Sequence, residues 1–97
     1  MTYGIVLVFE GVSADQYWGV NDKLGINRDG TGDWPDGLVS HVATATGNGL
    51  VVTEVWASKA EQERFMGERL GAALAGAQVP PPTQVLDGEL INAFQRT

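Results

Sequence analysis

His41 is the only histidine in this chain, and Glu54 is a carboxylate set among Val51, Val52, Val55 and Trp56. Histidine is the side chain that exchanges a proton near neutral pH. A neighbouring carboxylate can orient it or stabilise its charged form. The candidate catalytic pair is therefore His41 as proton acceptor with Glu54 behind it. Tyr17 and Asn21 lie one helical turn apart and are candidate substrate-binding groups, together with Trp56 and Phe65. Trp18 and Leu70 are further candidates for the apolar wall that a ligand pocket needs. Burying a polar group without a partner costs about 1–3 kcal/mol. Four polar groups converging on apolar surface therefore signal either a pocket with a purpose or a network that satisfies itself. The plainer alternative is that His41 only hydrogen-bonds Glu54 or a helix group, with Trp56, Tyr17 and Asn21 as ordinary core.

Other chemistries lack their residues. With no cysteine and one histidine, no thiol nucleophile, disulfide or zinc site is expected. Asp29, Asp33 and Asp36 lack the spacing and the closing glutamate of a calcium loop and read as solvated turn residues. Gly30 and Gly32 lack the third glycine and the strand-to-helix context of a dinucleotide site. No serine stands in a nucleophile motif. Neither metal nor cofactor is called for.

His41 and Glu54 need a hairpin to bring them together. Gly37 to Ser58 reads as two antiparallel strands, with Asn48-Gly49 as a type I′ turn. That turn pairs His41 with Trp56 and Ala43 with Glu54. A three-residue Gly47-Asn48-Gly49 loop would instead pair His41 with Val55. In the two-residue register one face carries Val39, His41, Ala43, Ala45, Leu50, Val52, Glu54 and Trp56. Leu38, Ser40, Val42, Thr44, Val51, Thr53 and Val55 take the other.

Tyr3 to Glu10 is apolar on both faces, as a central strand should be. Ser13-x-x-Gln16 is a capping box for a helix to about Leu24, with Gly25 as its exit. Its inward stripe is Tyr17, Val20, Asn21 and Leu24. Ile26 to Asp36 is a loop and Trp34-Pro35-Asp36-Gly37 a turn. Ser58-x-x-Glu61 caps a second helix with an apolar stripe through Phe65, Met66, Leu70, Ala73, Leu74 and Ala77. Pro80-Pro81-Pro82 is an extended connector. Thr83 to Leu86 is a fourth strand, Asp87-Gly88 a bulge or tight turn, and Glu89 to Phe94 an extended tail.

The 97 residues form one domain, 43% hydrophobic, which should bury roughly 65% of its unfolded surface. A net charge of −6 argues against nucleic acid and anionic membranes as partners. The apolar run Ile5–Phe9 has no basic lead and is too short for a signal or membrane helix, so a cytoplasmic protein is expected.

The order β-α-β-β-α-β is the ferredoxin-like pattern, an α+β fold. Right-handed crossovers place both helices on one face of a four-stranded antiparallel sheet, with the first and third strands central. The other face keeps a band of Val, Leu and Thr that the chain does not cover. Such a face marks an interface, and a twofold homodimer is the expected cover.

Within this order, Trp34-Pro-Asp-Gly-Leu-Val-Ser-His-Val42, Glu54-Val-Trp-Ala-Ser58 and Phe65-Met-Gly-Glu-Arg-Leu-Gly-Ala-Ala-Leu74 resemble the dimeric α/β-barrel superfamily. The resemblance spans roughly residues 3 to 90. It is nearest the proteins related to antibiotic-biosynthesis monooxygenases. It implies a pocket between sheet and helices in each subunit, and cofactor-free oxygenation or isomerisation of a small apolar or aromatic substrate. The haem-degrading branch carries its iron-ligating histidine on a helix, whereas His41 falls on a strand, which argues against haem. A ligand-binding or structural dimer without turnover is the alternative.

Overall fold

The first strand, β1 (Tyr3–Glu10), sends Tyr3, Ile5, Leu7 and Phe9 to one face, where all four are buried. This is period-two alternation acting on a strand that has neighbours on both edges. The computed structural model describes residues 2–96. Helix α1 (Ala14–Leu24) starts at the expected capping box: Ser13 Oγ accepts the Gln16 amide and Gln16 Oε1 accepts the Ser13 amide. It ends at Gly25, whose φ of 78° is cheap only for glycine. The hairpin follows as β2 (Leu38–Thr46) and β3 (Gly49–Trp56). Two short helices, α2 (Lys59–Phe65) and α3 (Gly71–Gly76), are joined by a π-helical turn, Met66–Leu70. The last strand is β4 (Gln84–Glu89). The sheet order is β2-β3-β1-β4, antiparallel throughout, which is the expected ferredoxin-like arrangement with β1 and β3 inside.

The hairpin departs from the expected register in an informative way. Gly47 and Asn48 form the turn, Thr46 pairs with Gly49, and neither turn residue takes positive φ, so it is not type I′. Gly49 is drawn into the strand because β1 runs close beside it. A Cβ there would overlap the Phe9 carbonyl oxygen, and the Asn48 carbonyl accepts the Gly11 amide at 2.7 Å. The displacement is two residues. An even shift keeps every side chain on its face, but His41 now stands directly opposite Glu54 instead of Trp56.

Three smaller expectations are corrected. Val39 bulges outward and is 65% exposed, so Leu38 turns inward in its place. The fourth strand runs through Asp87 and Gly88, which pair with Ile5 and Gly4; Asp87 is fixed there by the Tyr3 hydroxyl, which donates to it at 2.7 Å. At the second helix Ser58 Oγ accepts the Glu61 amide, but the Glu61 carboxylate accepts the Ser58 hydroxyl and not its amide, so the box is half made. The π turn was not expected, yet the spacing explains it. Phe65 and Leu70 are five residues apart, out of phase for an α-helix, and a wider turn returns both to the core face.

Among the described residues, no helix covers the opposite face of the sheet. Val42, Thr53, Val6 and Leu86 form one row across all four strands, and Val42 and Leu86 are each 55% exposed. Among the described residues, no helix is long and apolar enough to cross a membrane.

Candidate active site

Four side chains form one hydrogen-bonded chain between α1 and the sheet. Tyr17 Oη lies 2.7 Å from His41 Nε2. His41 Nδ1 lies 2.8 Å from Glu54 Oε2. The Trp56 indole N–H donates to Glu54 Oε1 at 3.0 Å. Each link follows from an element. Helical spacing hangs Tyr17 and Asn21 on the buried stripe of α1, and the hairpin register sets His41 across from Glu54, the distance at which cross-strand side chains meet. Trp56 follows Glu54 by two residues and so shares its face.

The network assigns the imidazole tautomer. A carboxylate only accepts, so Nδ1 carries the hydrogen toward Glu54. Nε2 is then free to accept from the Tyr17 hydroxyl. Glu54 is buried, and each of its oxygens holds one donor, which is what an ionised carboxylate needs in an apolar setting. Trp56 is fully buried behind it.

Asn21 breaks the pattern of satisfied groups. It is 5% exposed, and its Nδ2 has no hydrogen-bond partner. Burial pushes the Tyr17 phenol above its ordinary value; the nearby Asn21 amide partly offsets this, and the Glu54 charge adds to it. The Asn21 amide therefore stands beside the Tyr17 oxygen without completing a bond to it. Tyr3, opposite Trp56 on the neighbouring strand, is held further up by burial, its bond to Asp87 and that carboxylate's charge. Both phenols are thus more acidic unfolded than folded. Their contribution to stability is complete below the ordinary tyrosine value of 10.0 and is lost as pH rises through it toward the folded values. A melting temperature that falls steeply above that pH, together with tyrosinate absorbance, is expected; a flat profile would contradict it.

Tyr17, Asn21, His41 and Glu54 line one cavity of about 60 Å³, walled by Phe65, Leu70 and other core side chains. Among the candidate binding residues, Tyr17, Asn21 and Phe65 reach the cavity. Trp56 does not line it; it packs on Phe65 and holds Glu54 from behind. Trp18 is also outside, edge-on to Tyr17 and under the Arg28 guanidinium. Sequence reasoning missed the roof. Trp34, Pro35 and Leu38 line the cavity, and the Trp34 ring lies 5.3 Å from that of His41. Arg69 pins this loop by donating to the Leu24 and Asp33 carbonyls at 2.9 and 2.7 Å. The available signal was a tryptophan-proline pair inside an otherwise polar loop. A cavity that takes benzene is about 150 Å³, so a whole aromatic ring enters only if the Trp34–Leu38 segment gives way. Among the described residues, no three His, Asp or Glu side chains gather as a metal set would require.

Solved structures share this fold. One is a candidate antibiotic biosynthesis monooxygenase from Chloroflexus aurantiacus: TM-score 0.69, 14% identity, 98% of each chain covered. A Mycobacterium tuberculosis protein gives a TM-score of 0.66 at 14% identity, over 98% of this chain and 100% of that one. A monooxygenase from the gene ActVA-Orf6 of Streptomyces coelicolor, solved with the ligand nanaomycin D, gives 0.57 at 18% identity, over 99% and 92%. No family model and no curated protein matches the sequence. At these identities the likeness establishes the fold, and the relationship to antibiotic biosynthesis monooxygenase-like proteins holds at that level.

Proposed function

We propose that this protein is a cofactor-independent enzyme, a monooxygenase or isomerase, acting on a small apolar or aromatic substrate held between α1 and the sheet. His41 is the proton acceptor and Glu54 its partner. The observation that carries this reading is the Trp56–Glu54–His41–Tyr17 chain, which ends at a cavity beside an unpaired buried amide. Glu54 compensates the imidazolium that forms when His41 takes a proton. In the oxygenase form, dioxygen is the oxidant and the deprotonated substrate supplies the electrons. The Streptomyces coelicolor monooxygenase, solved with the ligand nanaomycin D, supports this reading by likeness of fold. The test is dioxygen uptake and isomer formation over a panel of hydroxyaromatic compounds, with wild type and His41→Ala side by side. The second reading is a binding module without turnover, favoured by the small size of the cavity.

The homodimer belongs to the same proposal. The row Val42, Thr53, Val6 and Leu86 is the surface to be covered, and an isologous contact of two sheets covers it on both subunits at once. Sedimentation is expected to give a dimer, and Val6→Glu, at the centre of the row, a folded monomer. A wild-type monomer would sink the dimer.

A further inference from the structure

We infer that residues 34–36 are a flap that closes the cavity and that Arg69 is the latch that holds it shut, so that ligand entry is governed from outside the proton chain. This rests on the cavity as the site of the proposed function and on no step of its chemistry. The flap is tied at its two ends and loose between them. At one end the Asp33 amide donates to the Gly25 carbonyl at 2.8 Å, and the Asp33 carbonyl accepts from Arg69 at 2.7 Å. At the other the Gly37 carbonyl accepts the Ala57 amide at 2.7 Å. Gly37 takes a φ of 86°, a conformation cheap only for glycine, whose backbone turns through the widest range of angles. Between these ties, among the described residues, the Trp34 and Asp36 amides donate to no group of the chain, and Pro35 has no amide to donate. A segment with so few attachments opens locally at low cost. The Trp34 ring lies 5.3 Å from the His41 ring, yet its indole N–H goes to the Gly30 carbonyl of its own loop at 2.9 Å. No polar bond holds the ring down on the sheet or on α1, only packing.

Arg69 joins three parts of the molecule. It stands on the π turn between Phe65 and Leu70, which both wall the cavity, and its guanidinium lies 5.5 Å from the Phe65 ring. A single nitrogen, Nη2, carries two hydrogens. It reaches the Leu24 carbonyl at the end of α1 at 2.9 Å and the Asp33 carbonyl at the base of the flap at 2.7 Å. The Asp33 carboxylate is 3.3 Å away and its side chain 78% exposed, so it adds little. The latch therefore grips backbone, and the ion pair is secondary. Closed, the cavity of about 60 Å³ is too small for a ring that needs about 150 Å³. Each entry of such a ligand lifts the flap and strains or breaks the bond from Arg69 to Asp33. Removing Arg69 raises the open fraction, and the rate of entry follows it.

The chain has no cysteine, so one placed in the cavity wall reports opening. Val52→Cys, buried on β3 and lining the cavity, is treated with methyl methanethiosulfonate, which forms a methyl disulfide and releases methanesulfinate. Mass spectrometry follows the adduct. Ile5→Cys, buried on β1 and not lining the cavity, reports opening of the whole fold. Without any change at the flap, Val52→Cys is expected to label faster than Ile5→Cys. Arg69→Met is expected to speed labelling of Val52→Cys about tenfold, the order of one charge-assisted hydrogen bond partly replaced by water, and to leave Ile5→Cys unchanged. Trp34→Ala is expected to speed it further, and Asp33→Asn to stay within about twofold of wild type. Equal acceleration of both reporters by Arg69→Met would make Arg69 a plain stabiliser and overturn the latch. An unchanged rate at Val52→Cys in folded Arg69→Met would overturn the latch as well, and the same result in folded Trp34→Ala would overturn the flap. Equal rates at the two reporters with the flap intact would overturn the inference even if no flap variant folded. No substrate enters this assay, so the flap can fail while the chemistry of His41 stands, and the reverse.

Discussion

Glu54→Leu is expected to destabilise the chain by about 2–4 kcal/mol, while Glu54→Gln costs about 1 kcal/mol and stops the proton chain. Leucine fills the volume but accepts nothing. It strands the Trp56 indole N–H, on a residue with no exposed surface, and the His41 Nδ1–H. Each stranded buried donor costs about 1–3 kcal/mol, and the added apolar burial offsets part of that. A domain of this size has about 5–15 kcal/mol in all, so the loss is a large fraction. Glutamine behaves differently. Its carbonyl oxygen takes the Trp56 N–H, and its amide then donates to His41 Nδ1, which must accept. The imidazole hydrogen is forced onto Nε2 and points at Tyr17, so His41 can no longer take a proton from that side. Urea midpoints measure the stability difference. Nitrogen chemical shifts of the ring report the tautomer without overlap, because the chain has one histidine. A Glu54→Leu variant as stable as wild type would show that the buried network contributes nothing net.

His41→Ala is expected to lower kcat by about 10²–10⁴ on whichever hydroxyaromatic compound the wild type turns over, the range for loss of a positioned acid or base. The fold survives, because His41 is only partly buried and its side chain is 16% exposed, so water can reach Glu54 Oε2 in its place. That water is a poor substitute for the imidazole, being neither positioned nor basic enough. Added imidazole should restore part of the rate, an effect a purely structural histidine would not show. Full activity in His41→Ala would end its role as proton acceptor.

The fold and the site were legible to different degrees. Ser13, Gln16 and Gly25 bounded α1 because capping and exit are local chemistry, settled within four residues. The faces of β2 and β3 were legible from Ala43 to Trp56, since period-two alternation survives any even error of register. Tyr17, Asn21, His41 and Glu54 could therefore be placed under one roof from the sequence. What was not legible was who touches whom. The direct opposition of His41 and Glu54 depends on Gly49 being pulled against the Phe9 carbonyl, a contact across 40 residues that no local pattern encodes. The exchange of Leu38 and Val39 depends on a bulge, and the separation of Trp56 from the cavity on which side of Glu54 its indole packs.

Element order, the single histidine, the inward placing of Asn21 and Glu54 and the uncovered apolar face follow from residue type and periodicity alone. That both histidine nitrogens are engaged, that the Asn21 Nδ2 has no partner and that Trp34 roofs the cavity emerged with the packed fold. Those facts turn on side-chain distances of a few tenths of an ångström between elements far apart in the chain. Packing sets such distances, and packing is a property of the whole fold and of no stretch within it.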